Sequence, residues 1–188
     1  IRRILFLSAA RFKKIMEDLL TADHLELDTL FEQLFSALDK GDVAEIHQHL
    51  DFFWARLAIH IRAENLHLFP FILRAARNHR KAEMPTLEVV EHTILTLDND
   101  HSFFMRELGA AVKEVFEMRQ NIAQNTAEKI SQLREKFTEL RRRLQIHNAL
   151  EESYAYRWAE TFNPAEIDVL EPKIQRELEN LPPRFKGH

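Results

Sequence analysis

Apolar residues recur at the spacing of an α-helix along nearly the whole chain, and little interrupts them. Three Gly and six Pro among 188 residues leave few places where a helix can break. Those breakers bracket four long segments. The first runs from about Ser8 to Lys40 and stops at Gly41, which can take the left-handed conformation that ends a helix. The second starts after Asp42, a capping residue placed three positions before Glu45, and continues to about Asn78 with Pro70 as an expected kink. Pro85 opens the third, which reaches about Met118. Polar "RQNIAQN" then connects to a fourth, capped by Asn125 with Glu128 and running to about Thr161. After Asn163-Pro164 a shorter amphipathic segment covers roughly 165–181. No strand pattern competes. The expected fold is all-α: an up-down-up-down four-helix bundle over 1–162, with an extra C-terminal helix in 163–188.

The apolar stripes of these helices carry polar intrusions. On the first, Leu20, His24, Leu27, Phe31, Leu34 and Leu38 share a face. The second aligns Leu50, Phe53, Leu57, His60, Glu64, Phe71 and Ile72. The third aligns Ile94, Leu97, His101, Phe104, Leu108 and Val112. The fourth aligns Phe137, Leu140, Leu144, His147, Glu151, Tyr154 and Trp158. Every helix contributes one histidine in mid-stripe, and the second and fourth add a glutamate one turn on.

A bare buried carboxylate costs several kcal/mol and normally neutralises or finds a positive partner. Two together are worse, because like charges at close range raise each other's pKa. Neutral imidazoles do not remove that cost. A pair of metal cations does, with imidazole nitrogens at the ends and carboxylates bridging the middle, as in dinuclear iron or manganese sites of bundle cores.

The pattern is also duplicated. "DH" at 23–24 precedes "HIRAE" at 60–64, and "DH" at 100–101 precedes "HNALE" at 147–151. The tails align too, "ENLHLFPF" after the first motif with "EESYAYRW" after the second. The ordered set DH, HxxxE(N)xxLFP, DH, HxxxEE over about 23–158 resembles the hemerythrin-like family, the HHE cation-binding domain. The resemblance implies a non-haem di-iron centre, oxo- or hydroxo-bridged, with an open position for O₂, NO or peroxide. It implies that His24 and His60 hold one iron, His101 and His147 the other, and that Glu64 and Glu151 bridge. Zn, Mn or Ni are the expected substitutes at such donors. Oxygen-carrying members have a fifth histidine one turn from the third-helix ligand, where this chain has Leu97 and Met105. Four His and two Glu is the set of bacterial repair and sensor-type relatives. The repair proteins usually carry a Cys-containing N-terminal segment, and this chain has no Cys.

Other residues compete for roles. His92 is a rival to His101 on the third helix, but stands about half a turn out of phase with it, and its stripe includes Asn99. His101, among Phe104 and Leu108, is preferred, with His92 the alternative ligand. His67 and Tyr154 occupy matching places one turn beyond the glutamates, either as polar-tipped core residues or as groups supporting the ligands or lining a channel. Asp28 is a candidate acceptor for a ligand imidazole, while His47, His49 and His79 read as surface residues. "HRKAE" at 79–83 repeats the HxxxE spacing where the second helix ends, which marks it as a surface coincidence. "ENLH" at 64–67 matches the Glu-x-x-His of ferritin-like bundles, but no other histidine has a Glu three residues before it, so that fold is excluded.

The remaining composition narrows the function. Without cysteine there are no disulfides, thiolate metal sites, thiol nucleophiles or Cys-ligated iron–sulfur clusters, and a reducing cytoplasm is the expected location. A formal charge of −4 gives no reason to expect nucleic acid, and "LRRRL" at 140–144, flanked by acidic residues, reads as a solvated face. The opening "IRRILFLSAARFKK" is too short an apolar run for a membrane span and reads as the start of a helix; its first residue, Ile rather than Met, points to processing. The residues fit a monomer or a homodimer and specify no protein partner. The expected function is binding or reacting with O₂, NO or peroxide in a sensing, scavenging or iron-homeostasis role. An iron-centre repair or peroxide-consuming enzyme is the first alternative, and a metal-free helical interaction protein the second.

Overall fold

A computed structural model describes residues 16–78, 85–120, 126–159 and 164–185. Its α-helices are α1 (Ala22–Lys40), α2 (Val43–Ala63), α3 (Phe69–Asn78), α4 (Leu87–Gln120), α5 (Thr126–Leu150), α6 (Tyr156–Ala159) and α7 (Pro164–Leu178). A π-helical turn at Met16–Thr21 leads into α1; two more, Glu64–Leu68 and Glu151–Ala155, join α2 to α3 and α5 to α6. No strand occurs among the described residues, and none of their helices is long and apolar enough to cross a membrane. The N-terminal basic–apolar run, the HxxxE lookalike at 79–83 and the Asn125 cap lie outside the described residues.

The α1–α2 corner is built as its sequence dictates. Gly41 adopts φ 71°, and its N–H reaches the carbonyls of Ala37 and Leu38, each at 3.1 Å. The Asp42 carboxylate then accepts from the N–H groups of Ala44 (2.9 Å) and Glu45 (3.1 Å), capping α2. An Asp42→Ala variant is expected to lose about 1 kcal/mol, read from the urea midpoint of the metal-free chain. Helix α4 begins two residues later than Pro85 suggests. Thr86 is its cap, accepting from Val89 N–H at its hydroxyl (3.4 Å) and from Val90 N–H at its carbonyl (3.1 Å).

The helices close a ring: α1 packs on α2, α2 on α4, α4 on α5, and α5 back on α1. Two apolar cores form within it. One gathers Leu27, Phe31 and Leu34 of α1, Phe53 and Leu57 of α2, Phe104 and Leu108 of α4, and Phe137 and Leu144 of α5. The other gathers Leu20, Ala63, Phe69, Ile72, Ile94, Leu97, Ala155 and Trp158. Helix α7 completes this second core with Ile167, Leu170, Ile174 and Leu178, packing on α2 and its π-helical continuation. Along each of the four long helices the histidine stands between residues of the two cores, so a polar layer is sealed by apolar side chains above and below.

Where the sequence suggests a proline kink, the second helix makes a π-helical turn. Phe69 N–H bonds back to Glu64 O, five residues away rather than four, and Pro70 follows directly. Tyr156 N–H makes the equivalent bond to Glu151 O where there is no proline at all. Both turns begin at the glutamate of an HxxxE motif, so the duplication extends to the backbone.

Candidate metal centre

Six side chains meet in the polar layer. His24 comes from α1, His60 from α2 with Glu64 at the start of its π-helical turn, His101 from α4, and His147 from α5 with Glu151 opening the next turn. None is more than 4 % exposed. They form two groups that share both glutamates: His24, His60, Glu64 and Glu151, and His101, His147, Glu64 and Glu151, each offering atoms within 4.8 Å of one another. The His24 and His60 Nε2 atoms lie 3.1 Å apart, and those of His101 and His147 3.0 Å apart. Glu151 spans the two groups, Oε2 standing 3.3 Å from His24 Nε2 while Oε1 is 2.9 Å from His147 and 3.4 Å from His101. Glu64 Oε2 is 3.5 Å from His60 and 3.3 Å from His101.

Each imidazole turns its other nitrogen to an acceptor. His24 Nδ1 meets Glu152 at 2.8 Å, His60 Nδ1 meets Asp23 at 2.8 Å, and His101 Nδ1 meets Asn65 Oδ1 at 3.0 Å. His147 Nδ1 faces Asp100 at 3.5 Å without a hydrogen bond. The two aspartates are held by arginines, Asp23 by Arg56 and Asp100 by Arg143. With Nδ1 carrying the proton, each Nε2 presents a bare lone pair to the centre.

These supporting residues obey the same duplication. Aligned on the glutamates, Arg56 matches Arg143, Asn65 matches Glu152, and Phe69 matches Tyr156. Phe69 lies parallel to His101, ring centroids 5.7 Å apart, and Tyr156 stacks on His24 at 5.9 Å. The Tyr156 hydroxyl donates to Glu64 Oε1 at 2.7 Å. Burial and the neighbouring Glu64 and Glu151 hold its pKa well above the ordinary phenol value, so it stays a donor.

The residues expected to support the ligands are elsewhere. Tyr154 is 49 % exposed and packs edge-on to Trp158. His67 points towards Glu177 of α7, 4.0 Å away. The π-helical turn is the reason: one extra residue per turn rotates the following chain, bringing position five after the glutamate inward in place of position three. Asp28 sits at the rim beside Arg141 (3.7 Å) and touches no imidazole. His92 is exposed, whereas His101 is in the layer. Arg143 of the "LRRRL" run is not simply solvated, because it holds Asp100. The aspartates were visible as the repeated "DH", and the arginines as a residue four before each HxxxE, a signal readable by aligning the two hairpins.

With the imidazoles neutral, the centre contains almost nothing but acceptors. Glu64 Oε2 and both Glu151 oxygens make no hydrogen bond, and Tyr156 is the one hydroxyl donor that reaches the cluster among the described residues. Such a set requires positive charge. Protons are one source. Burial opposes charging of His24, yet Glu151 and Glu152 outweigh it and raise the pKa to about 9. Burial likewise opposes His147, but Glu151 and Asp100 carry it to about 10. Glu151, against the effect of its burial, is held well below the ordinary carboxylate range by His147, His101 and His24. Metal cations are the other source, and the donors fit them: imidazole nitrogens and carboxylate oxygens suit iron, manganese, zinc or nickel.

The model of the hemerythrin HHE cation-binding domain matches residues 16–159, all six of these side chains included. The chain belongs to that family. No curated protein and no solved structure gives a significant match. Membership in the HHE family points to a metal-binding protein, and the donor groups of the His/Glu layer fit a metal site.

Proton and metal compete for the layer, which fixes the pH behaviour of an HHE centre built this way. Metal ligation needs neutral imidazoles, so Zn(II) affinity is expected to rise with pH from about 6 to 9 as fewer protons are displaced. Calorimetry in buffers of different ionisation enthalpy should show proton release on binding at pH 7. The metal-free chain should behave oppositely. Raised histidine pKa values stabilise it fully below about 6.5, and that stability is lost as pH climbs through 9 to 10. Its melting temperature should therefore fall over that range, while the metal-loaded protein should not follow it.

Proposed function

We propose that this chain is a non-haem di-iron protein in which His24 and His60 hold one ion, His101 and His147 the other, and Glu64 and Glu151 bridge. The observation that carries the reading is the pair of donor groups sharing two buried carboxylates with unpaired oxygens. When bound, iron supplies the capacity to bind and reduce or oxidise O₂, NO or peroxide. The protein's own residues do the rest. Glu152, Asp23 and Asn65 fix the tautomers and ring orientations of His24, His60 and His101, and Asp100 faces His147. Phe69, Phe104 and Leu97 wall the layer with apolar surface that excludes water. The helix ring and short α1–α2 corner support an up-down-up-down bundle, with α7 as an added cover.

Binding or reacting with a diatomic or peroxide, in a sensing, scavenging or iron-homeostasis role in the cytoplasm, is the function this arrangement fits. The test is an optical spectrum of iron-loaded protein before and after O₂, NO or hydrogen peroxide. Reversible change in a near-UV charge-transfer band supports binding and sensing, and sustained loss of peroxide supports turnover. An unchanged spectrum with all three, in protein holding about two irons, contradicts the reading.

A further inference from the structure

The duplicated hairpins make the two halves of the centre comparable residue by residue, and they differ where their neighbours touch them. Around His24 and His60, both imidazoles rest on carboxylates at 2.8 Å, Glu152 and Asp23. Around His101 and His147, one rests on the neutral amide of Asn65 at 3.0 Å and the other faces Asp100 at 3.5 Å. The orientation of that amide is fixed, because Asn65 Nδ2 donates to Asp98 at 3.1 Å. The aromatic at the fifth position after each glutamate differs as well. Tyr156 beside His24 pins Glu64 Oε1 with its hydroxyl, while Phe69 beside His101 pins nothing.

Enclosure differs behind His60 and His147, while Glu152 behind His24 is 41 % exposed. Arg56, behind Asp23 and His60, has a side chain only 11 % exposed, and its Nη1 donates to Leu178 O of α7 at 2.7 Å. The C-terminal helix thus closes over the Asp23/His60 side of this half. Arg143, behind Asp100 and His147, is 39 % exposed and lies over Phe103 with no such lid. A carboxylate behind an imidazole makes it a better donor, and a sealed surround slows departure of a bound ion.

We infer that the two metal positions are unequal by construction: the His24/His60 position binds its ion more tightly and releases it more slowly, and the His101/His147 position is the exchangeable one. This rests on the two-metal reading above. It assigns Glu152, Asn65, Tyr156 and Phe69 as the residues that set the difference.

The experiment is anaerobic titration of the metal-free chain with Co(II) against a chelating indicator, with native mass spectrometry to count ions. Two steps are expected, separated by about 10-fold or more in affinity, the scale of a lost supporting contact. A His147→Ala variant should keep the tight step, and His60→Ala should keep only the weak one. Chelator should strip the loaded wild type in two phases. The exchange Asn65→Glu with Glu152→Asn, at positions not wholly buried, should narrow or invert the gap. Two equal steps, a tight step that survives His60→Ala, or a gap indifferent to the exchange would overturn the inequality while leaving two metals per chain intact. A wild type that takes up no Co(II) would instead remove the two-metal reading itself.

Discussion

Replacing Glu64 and Glu151 together with alanine is expected to abolish stoichiometric metal uptake while leaving the chain helical. Both side chains are wholly buried, and both belong to each donor group. Their removal takes two ligands from each position and all the negative charge that faces the Nε2 lone pairs from within the layer. Loss of a merely supporting residue lowers metal affinity roughly 10–100-fold, so loss of both shared ligands should exceed that range. The same variant has a metal-free signature. Glu151 raises His24, His101 and His147 alike, so their titrations should move down towards ordinary imidazole values. NMR titration of the histidine ring protons reads this directly. Metal uptake equal to wild type, or unmoved histidine titrations, would refute the assignment of these carboxylates.

Arg56→Ala is expected to be the most damaging change outside the ligands. Asp23 is almost completely buried, with Arg56 and the His60 N–H as its partners. Breaking a buried ion pair from one side costs about 3–5 kcal/mol, because the remaining charge has no compensation. Arg56 also bonds Glu26 at 2.9 Å and the Leu178 carbonyl, so α7 should loosen with it. The duplicate, Arg143→Ala, is the internal control. Its pair with Asp100 meets solvent, and exposed pairs contribute about 0–1 kcal/mol. Urea denaturation of the two metal-free variants should therefore differ by several-fold in ΔΔG. Equal losses would mean that the burial of Asp23 does not govern its energetics.

Much of this centre is legible in the sequence because polar residues on an apolar stripe are costly and therefore informative. His24, His60, Glu64, His101, His147 and Glu151 stand out by position, and the structure brings all six into one layer. The surroundings are not legible by the same rule. Extrapolating 3.6 residues per turn past Glu64 and Glu151 points to His67 and Tyr154, but the π-helical turns shift the phase and present Phe69 and Tyr156. No residue type in those turns marks the shift, since one contains no proline and the other has Pro70 just beyond it. Asp23 escapes a stripe argument because it flanks its stripe, and Asp28, one turn beyond His24, faces Arg141 instead of an imidazole. Partners that reach across helices, such as Glu152 to His24 and Asn65 to His101, are set by the packing of the ring rather than by any local pattern. Comparing the two hairpins with each other recovers most of what single-helix periodicity loses.

The di-iron proposal requires two cations in the His/Glu layer. Metal content per chain, measured on protein produced with iron available and again after stripping and reloading, tests it most directly. About two ions per chain are predicted for the wild type, none bound stoichiometrically by the Glu64→Ala/Glu151→Ala variant. A wild type that remains without specific metal, or a variant that retains it, would contradict the account.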